Sequence, residues 1–232
     1  MPRESKENRT KRARRIARRL FRTHPDAHCE LVHQGPFELL VATILSAQCT
    51  DKMVNKVTPE LFRLFPHPAR LAQADPSELE RILKPTGFFR QKSRMLLAMA
   101  QALVGDHEGE VPRTLEDLTR LPGVGRKTAN VVLGNEFGVP GIVVDTHVGR
   151  LSRRMGLSSQ DDPVKVERDL MELFPPKQWT DLSHVLIFHG RRICFARNPQ
   201  CELCPVADDC PWGRSLSRKE KADARVRRRR TA

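Results

Sequence analysis

The sequence lacks any hydrophobic run long enough for a membrane-spanning helix. Its apolar stretches fall short of the roughly 18 residues that such a helix needs, and residues 1–22 have no apolar centre of the kind that a secretory signal carries. These absences exclude an integral membrane protein and give no support to export, so we expect a cytoplasmic protein whose six cysteines are reduced. With 39% hydrophobic and 30% charged residues, the chain has the composition of a soluble globular protein.

Negative charge is also scarce, and the net charge is +13. The excess lies in the terminal segments, because residues 1–22 sum to +8, residues 214–232 to +7 and the remainder to −2. Such segments add sequence-independent attraction to phosphates. Arginine-rich termini that only maintain solubility or form a solvated helix face are the alternative. Charge alone does not decide the function.

Strand signals are nearly absent. Apolar residues recur at helical spacing in residues 37–46, 53–65, 79–83 and 95–104. The one short β-branched run, at residues 141–144, ends at Asp145, a candidate N-cap for a helix through Met155. There is no internal repeat. The sequence therefore predicts an all-α fold.

Three further capping residues mark helix starts. Asp75 precedes Pro76, Asp162 precedes Pro163, and Thr114 is followed by two acidic residues. These signals predict helices near residues 76–83, 115–120 and 163–174.

Four closely spaced cysteines form the most specific signal. They are Cys194, Cys201, Cys204 and Cys210, separated by six, two and five residues. A structural zinc fits four thiolates, but only one CxxC pair is present. Two disulfides are disfavoured by a reducing compartment. Uneven spacing with interspersed prolines suits a cuboidal iron-sulfur cluster, which the pattern favours over zinc. Cys29 and Cys49 have no such partners and are interpreted as small buried residues.

Residues 118–129 (LTRLPGVGRKTA) read as two helical stretches joined by a tight turn. Gly123 and Gly125 permit a turn whose backbone N–H groups point outward at the start of the second helix, which is an anion site. A dinucleotide fingerprint fails because no strand precedes the turn and Thr128 replaces the last glycine; a Walker loop fails because Arg126 separates Gly125 from the lysine. The pattern favours a helix-hairpin-helix that binds DNA phosphates without reading sequence.

Lys127 lies in the first turn after this hairpin. The positive end of the helix dipole and partial burial would both disfavour its ammonium form and make it a nucleophile. The alternative is a second phosphate contact beside Arg126. Asp145 is either only a helix cap or a carboxylate that stabilises a cationic sugar. Together, Lys127 and Asp145 can support amine attack on a sugar C1′ that expels a base.

Three features occur in the order seen in the endonuclease III family, which this chain resembles: residues 121–130 (LPGVGRKTAN), residues 144–147 (VDTH) and the four cysteines. The similarity covers nearly all of residues 20–212, including residues 45–51 (LSAQCTD) and His189 to Arg191. The resemblance implies an all-α, two-lobed helix-hairpin-helix DNA glycosylase fold with a C-terminal [4Fe-4S] cluster loop.

The resemblance also implies a division of the chain. Residues 1–28 would be a basic N-terminal helix packing with the cluster lobe, and residues 29–139 a six-helix domain with the helix-hairpin-helix at about 115–137. Residues 140–213 would be the iron-sulfur cluster domain, and residues 214–232 a disordered basic tail.

The activity implied is that of a base-excision repair enzyme that removes oxidised pyrimidines and cleaves the abasic site by β-elimination. The resemblance makes Lys127 the Schiff-base nucleophile and places Asp145 opposite it across a cleft. The four cysteines would bind the [4Fe-4S] cluster and order residues 195–200 against DNA. The expected partner is double-stranded DNA with a damaged pyrimidine or abasic site, extruded from the helix. No membrane is involved, and we expect a nucleoid-associated monomer.

The resemblance assigns further residues to DNA. Gln48 would fill the gap left by the extruded base, and Phe88 would be the wedge between bases. The other expected contacts are Gly123, Gly125, Arg126, Thr128 and His147. The family's usual Gly-Leu-Tyr-Asn is replaced by residues 87–90 (GFFR), which puts reading of the opposite base in doubt. Alternatively, Phe88 and Phe89 are core residues at a helix junction, with one of the two buried. Cys49, where the family often has a small residue, is a second departure.

Rival assignments meet specific objections. A thymine-mismatch glycosylase with tyrosine at the nucleophile position is excluded, because the chain contains no tyrosine. An adenine-specific relative lacks the nucleophilic lysine and has an additional C-terminal domain, whereas only 22 residues follow Cys210 here. A non-catalytic DNA-binding or redox-sensing protein would not need both Lys127 and Asp145.

Overall fold

The computed structural model describes residues 4–215, and every regular element in this part of the chain is a helix. The α-helices are α1 (Lys6–Thr23), α2 (Gly35–Leu45), α3 (Asp51–Leu64), α4 (Pro68–Ala72), α5 (Pro76–Leu83), α6 (Phe89–Asp106), α7 (Leu115–Arg120), α8 (Arg126–Glu136), α9 (Thr146–Arg154), α10 (Pro163–Leu173) and α11 (Trp179–Arg192). Short 3₁₀ helices lie at Lys84–Thr86, Pro176–Gln178 and Cys201–Leu203. The predicted all-α class is confirmed. The predicted disorder of the basic tail falls almost wholly outside the described residues.

The capping residues start helices where the sequence predicts them. The Thr114 hydroxyl accepts a hydrogen bond from Asp117 N (3.1 Å), and the Asp162 carboxylate accepts one from Lys165 N (2.9 Å). Asp75 accepts from Ser77 N (3.3 Å). Each bond satisfies an N–H that the first helical turn leaves without a carbonyl. Helix α10 ends one residue before the predicted end.

Helix α6 begins six residues earlier than its apolar spacing predicts. The first turns bury polar residues, Lys92 and Ser93, instead of apolar ones. Lys92 is 3% exposed, and its Nζ donates to the carbonyl oxygen of Thr86 (2.9 Å). Because a buried lysine does not contribute to an apolar pattern, the hydrophobic periodicity misses the start of this helix.

The described residues divide into two compact units. One unit is Cys29–Gly141, which contains α2 to α8. Its central helix is α2, where residues 39–45 are all buried, and α8 packs against it. Helices α4 and α5 pack against α6. This core therefore fixes the start of α8, where the hairpin ends.

The other unit combines residues 4–28 with residues 142–215. Helix α1 contributes Ala13, Ile16, Ala17 and Leu20, spaced three or four residues apart as one helical face requires. This face packs against α10 and α11. Arg12, 5% exposed, forms a bidentate ion pair with Glu4 and donates to carbonyls of residues 155, 156 and 209. The unit is thus closed by two segments distant in sequence.

None of the helices within residues 4–215 combines the length and apolar composition that a bilayer crossing requires.

Candidate active site and metal centre

The turn between α7 and α8 alternates buried anchors with exposed backbone. Leu121 and Val124 are 3% and 6% exposed, and Val124 N donates to the Leu121 carbonyl (3.1 Å). Pro122, Gly123 and Gly125 between and beside them are exposed. Helix α8 begins at Arg126, and its first N–H groups have no carbonyl partner within the helix. The turn therefore presents unpaired backbone N–H groups on a rigid base, the arrangement by which helix N-termini bind anions.

The two glycines of this turn meet different constraints. Gly123 has φ +77°, and a Cβ there would lie 3.2 Å from Met95 Cβ. Gly125 has φ −91°, a value open to any residue, and a Cβ there would meet no atom within 4 Å. The backbone conformation at position 123 therefore requires glycine. At position 125 any residue could adopt the backbone conformation, and the absence of a side chain leaves open space for a ligand.

This contrast predicts separate effects of two alanine substitutions. Gly123→Ala costs about 1–2 kcal/mol of stability, because an L residue is strained in the left-handed region. Gly125→Ala costs about 0.5 kcal/mol, the difference between glycine and alanine at an N-cap, but weakens duplex binding roughly tenfold because a methyl group blocks phosphate from the N–H groups. Urea unfolding and DNA titration of both variants measure the two effects. Unchanged DNA affinity of Gly125→Ala would contradict the assignment.

Lys127 is exposed, so the expected partial burial is wrong for this structure. Its position in the first turn of α8 sends the side chain outward, while Ala129 and Asn130 point into the core. Within the described residues the Lys127 ammonium makes no hydrogen bond or ion pair. The Lys127 side chain is therefore unpaired and lies next to the exposed backbone N–H groups of the turn.

Asp145 starts α9 as predicted, and it is half-buried. Its Oδ1 accepts a hydrogen bond from Val148 N at 2.8 Å. The preceding apolar residues hold the segment, since Ile142 is 1% exposed and Val143 N donates to Ser183 Oγ (2.9 Å). The carboxylate is therefore fixed in place while its second oxygen remains available for chemistry.

His147 is held by the same helix. Arg150 Nη2 donates to His147 Nδ1 (3.1 Å), so the neutral ring carries its proton on Nε2. Burial lowers the pKa of His147 more than the Asp145 carboxylate raises it, which keeps the ring neutral at pH 7. A Cβ on Gly190 would lie 2.6 Å from His147 Nδ1, so glycine there allows α9 to approach α11. His147 can thus donate one hydrogen bond through Nε2.

Gln48 and Phe88 share an unusual backbone. Both have positive φ, +52° and +48°, and both are exposed, Phe88 by 61%. Such angles are uncommon outside glycine and are outliers for bulky residues. Phe89 is half-buried and packs against the core, so the two phenylalanines divide into one exposed and one partly buried ring. The backbone holding Phe88 is anchored by the buried Thr86 and Lys92.

The four spaced cysteines line one cavity, together with Arg154 and His189. The cavity wall contains no carboxylate, and none of the four cysteines forms a disulfide. Across residues 4–215, no three His, Cys, Asp or Glu side chains are arranged to hold a single metal ion. Four thiols lining one cavity match the donor set of a cuboidal cluster.

Burial raises the pKa of the Cys204 thiol to about 11 and raises the pKa of Cys201 and Cys210. Thiolates at these positions therefore require compensating positive charge, which iron would supply. Arg154 adds to it, because its Nη1 lies 3.3 Å from Cys194 Sγ. The residues present fit a group that binds through four thiolates.

Two arginines of α9 hold the backbone around the first cysteine. Arg150 Nη2 donates to the carbonyls of Gly190 (3.1 Å) and Cys194 (2.9 Å). Arg154 donates to the carbonyls of Phe195 (2.6 Å) and Ala196 (2.7 Å). The helix capped by Asp145 therefore also orders the start of the cysteine segment. Sequence reasoning missed both arginines, although their four-residue spacing places them on one helix face.

A pair of buried histidines was also missed. His24 Nε2 and His189 Nδ1 lie 3.1 Å apart, and His189 Nε2 lies 3.4 Å from Cys204 Sγ. Burial lowers the pKa of His189 to about 4, so its ring is neutral. When iron holds Cys204 as a thiolate, the sulfur can only accept, so His189 would donate through Nε2 and His24 would donate to His189 Nδ1. These residues support the cysteine segment from α1 and α11.

Comparison with known proteins shows to which class of protein this fold and site belong. Residues 41–176 match the family model described as HhH-GPD superfamily base excision DNA repair protein. Residues 194–210, the cysteine segment, match the iron-sulfur binding domain of endonuclease III. The fold and its helix-hairpin-helix are those of this superfamily.

Similarity to individual proteins identifies the family within this superfamily. Endonuclease III of Synechocystis sp. is 50% identical over 201 residues, which cover 86% of this chain and 92% of the relative. Endonuclease III of Bacillus subtilis is 45% identical over 196 residues, or 84% and 90% of the two chains. A solved structure of a trapped endonuclease III–DNA covalent intermediate superposes with a TM-score of 0.86 at 44% identity, covering 90% of this chain and 98% of the other.

This chain belongs to the endonuclease III family. It is a base-excision repair DNA glycosylase with abasic-site lyase activity, and its cofactor is a [4Fe-4S] cluster. The all-α helix-hairpin-helix fold, the enzyme class and the cofactor predicted from sequence are confirmed.

Proposed function

We propose that the protein removes oxidised pyrimidines from duplex DNA and cleaves the resulting abasic site, with Lys127 as the nucleophile. The observation that carries this assignment is the placement of an unpaired, exposed lysine in the first turn of α8, directly after the phosphate-binding turn. A phosphate held at Gly123 to Gly125 brings the neighbouring sugar within reach of Lys127. The covalent DNA intermediate trapped for endonuclease III supports a nucleophile of this kind.

The reaction balances with the groups present. The Lys127 amine lone pair forms a bond to C1′ while the glycosidic bond breaks, and its electron pair leaves with the base, which takes up a proton. The attached nitrogen then gives up a proton, and its lone pair expels O4′ from C1′. The oxygen leaves with the electron pair of that bond and takes up the proton, so the sugar ring opens to an iminium. Removal of a proton from C2′ then expels the 3′ phosphate, and water hydrolyses the imine. The amine must be neutral at the moment of attack.

Asp145 serves the steps in which positive charge develops on the sugar. Its half-buried carboxylate stabilises that charge and can relay protons. The Val148 N–H holds one oxygen, so the carboxylate does not have to be ordered during the reaction. Asp145 is thus both a helix cap and a catalytic residue in this proposal, and the two roles use different oxygens.

Recognition of the damaged nucleotide falls to exposed side chains on strained turns. We assign Phe88 as the wedge and Gln48 as the partner of the strand left by the extruded base. The turn backbone, with Arg126 and Thr128, holds phosphates, and His147 Nε2 donates to DNA. The aromatic ring at Phe88 fills more space than leucine, so opposite-base preference should differ from that of leucine-bearing relatives. We expect the protein to act as a monomer.

We assign the [4Fe-4S] cluster to Cys194, Cys201, Cys204 and Cys210. When bound, the cluster supplies four iron–thiolate bonds that cross-link this otherwise irregular segment. Arg154 then orders the start of residues 195–200 by holding the carbonyls of Phe195 and Ala196, while Arg150 holds the preceding carbonyl of Cys194. Division of the chain into a six-helix domain and a cluster domain, with the N-terminal helix in the latter, belongs to the same proposal.

Borohydride trapping tests the nucleophile. Native protein incubated with a duplex carrying an abasic site or thymine glycol should give a covalent adduct, because borohydride reduces the imine. Lys127→Gln should give less than roughly one-hundredth of the native yield, since no other group replaces the amine. An equal adduct from the variant removes Lys127 from this role.

Arg126→Gln is the matched control for the trapping experiment. It removes the adjacent cation but leaves the amine, so at saturating protein it should give a native yield of adduct. If Lys127 were only a phosphate contact, the two variants would behave alike. A non-catalytic member of the family would give no adduct even with the native chain.

A further inference from the structure

Helix α1 carries two sets of arginines with different environments. Arg12, Arg15 and Arg19 face the C-terminal part of their own unit. Arg15 Nη2 lies 2.8 Å from Asp209 Oδ1, and Arg19 donates to the Pro205 carbonyl (3.1 Å). Together with the buried Arg12, they fasten α1 to residues 205–209. These three arginines have a structural role.

The second set is Arg14, Arg18 and Arg22, named here the arginine stripe. All three are exposed. Among residues 4–215 no group forms an ion pair or hydrogen bond with their guanidinium groups. They therefore carry three charges on one side of α1 that no acidic group within residues 4–215 neutralises.

The arginine stripe lines an open groove. The groove has a volume of about 670 Å³, and its other lining residues are Ala17, Phe21, Pro175 and Gln178. No lining residue is acidic. A wide groove with one sign of charge concentrates anions of the opposite sign.

The spacing of the stripe favours a linear polyanion over a single small anion. Arginines four residues apart are separated by about 6 Å along the helix axis, so the stripe extends over about 12 Å. A phosphate ion could reach one guanidinium, whereas three or four consecutive nucleotides of one DNA strand, at 3.4 Å each, cover the whole length. Arginine's planar fork suits phosphate oxygens.

We propose that Arg14, Arg18 and Arg22 bind the phosphate backbone of duplex DNA, in addition to the helix-hairpin-helix. The proposal rests on the proposed function only in taking DNA as the polyanion. The chain's own C-terminal residues 216–232 are excluded as the occupant, because they carry eight basic and two acidic residues. The stripe binds without reading sequence, so it strengthens attachment to undamaged DNA during the search for lesions.

The dependence of affinity on salt measures this contact directly. Each neutralised phosphate adds about −0.9 to the slope of log K against log salt concentration. The variant Arg14→Gln/Arg18→Gln/Arg22→Gln should therefore have a slope shallower by about 2–3 on an undamaged duplex. Its affinity should approach the native value as salt rises, because the lost contacts are screened. Binding is measured as the fluorescence anisotropy of a labelled duplex that is titrated with cluster-loaded protein.

A control variant removes the same charge without the alignment. Arg63, Arg70 and Lys165 are exposed and lie on three different helices. Their triple glutamine variant should change the slope by less than about 1 if alignment on α1 matters. Equal slopes for the two triple variants overturn the proposal. A loss of affinity for polyglutamate as large as the loss for DNA also overturns it, since the groove would then fit acidic polypeptide.

Two readouts separate this proposal from the proposed function. The stripe variant should retain its iron, its helical circular dichroism and its native yield of borohydride adduct at saturating protein. Lys127→Gln should retain the native salt slope on undamaged duplex to within about 1, because at most one phosphate contact is lost. If Lys127→Gln had both a native salt slope and a native yield of borohydride adduct, only the assignment of Lys127 as the nucleophile would be contradicted.

Discussion

Asp145→Asn lowers the rate of base excision by about 10²–10⁴-fold and leaves stability within about 0.5 kcal/mol of the native value. Asparagine is as good an N-cap as aspartate, so the hydrogen bond from Val148 N at 2.8 Å is kept. The charge that stabilises a cationic sugar is lost. Single-turnover excision from a thymine glycol duplex measures the first effect, and urea unfolding measures the second.

Asp145→Ala separates the cap from the chemistry. It removes both the charge and the hydrogen bond, so it should show the same loss of rate with an additional stability loss of about 1 kcal/mol. If Asp145 were only a helix cap, both variants would excise at close to the native rate, and Asp145→Ala would lose only stability. That result would remove the carboxylate from the mechanism.

Cys210→Ser abolishes the cluster and unfolds much of the unit formed by residues 4–28 and 142–215. Cys210 is 8% exposed and belongs to the core that includes α1, α10 and α11. Without the cluster, residues 194–210 keep one 3₁₀ turn as their regular structure, and the thiols whose pKa is raised by burial have no cation to bind. Native protein should contain about four irons per chain, and the variant close to none.

Cys29→Ser and Cys49→Ser are the matched controls. Both cysteines lie in the other unit, partly buried against its core, so their variants should retain the iron content and visible absorbance of the native protein. Loss of iron in Cys29→Ser comparable to that in Cys210→Ser would break the ligand assignment. Stoichiometric zinc with little iron in natively purified protein would do so as well.

Local features of the site could be predicted because neighbouring residues produce them. The turn at Gly123 and Gly125 follows from consecutive residues, and the cap at Asp145 follows from a single side chain and the next turn. The exposure of Lys127 could not be predicted in this way. It depends on which face of α8 packs against α2, and that contact joins residues about ninety positions apart.

Side chains that bind backbone carbonyls of distant residues are even harder to predict from the sequence. Arg150 and Arg154 bind carbonyls of residues 190–196, and a carbonyl is the same for every amino acid. The unequal exposure of Phe88 and Phe89 follows from the left-handed backbone at Phe88, which no propensity favours for an aromatic residue. The buried Lys92 below that turn reads in the sequence as a surface charge.

The division of one folded unit between the two ends of the chain sets an order for events on the ribosome. Helix α1 is synthesised well before α10 and α11, against which its apolar face packs. Residues 29–141 are contiguous and have their own core, so they can fold before α10 and α11, which cover the apolar face of α1, have been synthesised. Insertion of iron therefore comes only after α10, α11 and the four cysteines that follow them have been made.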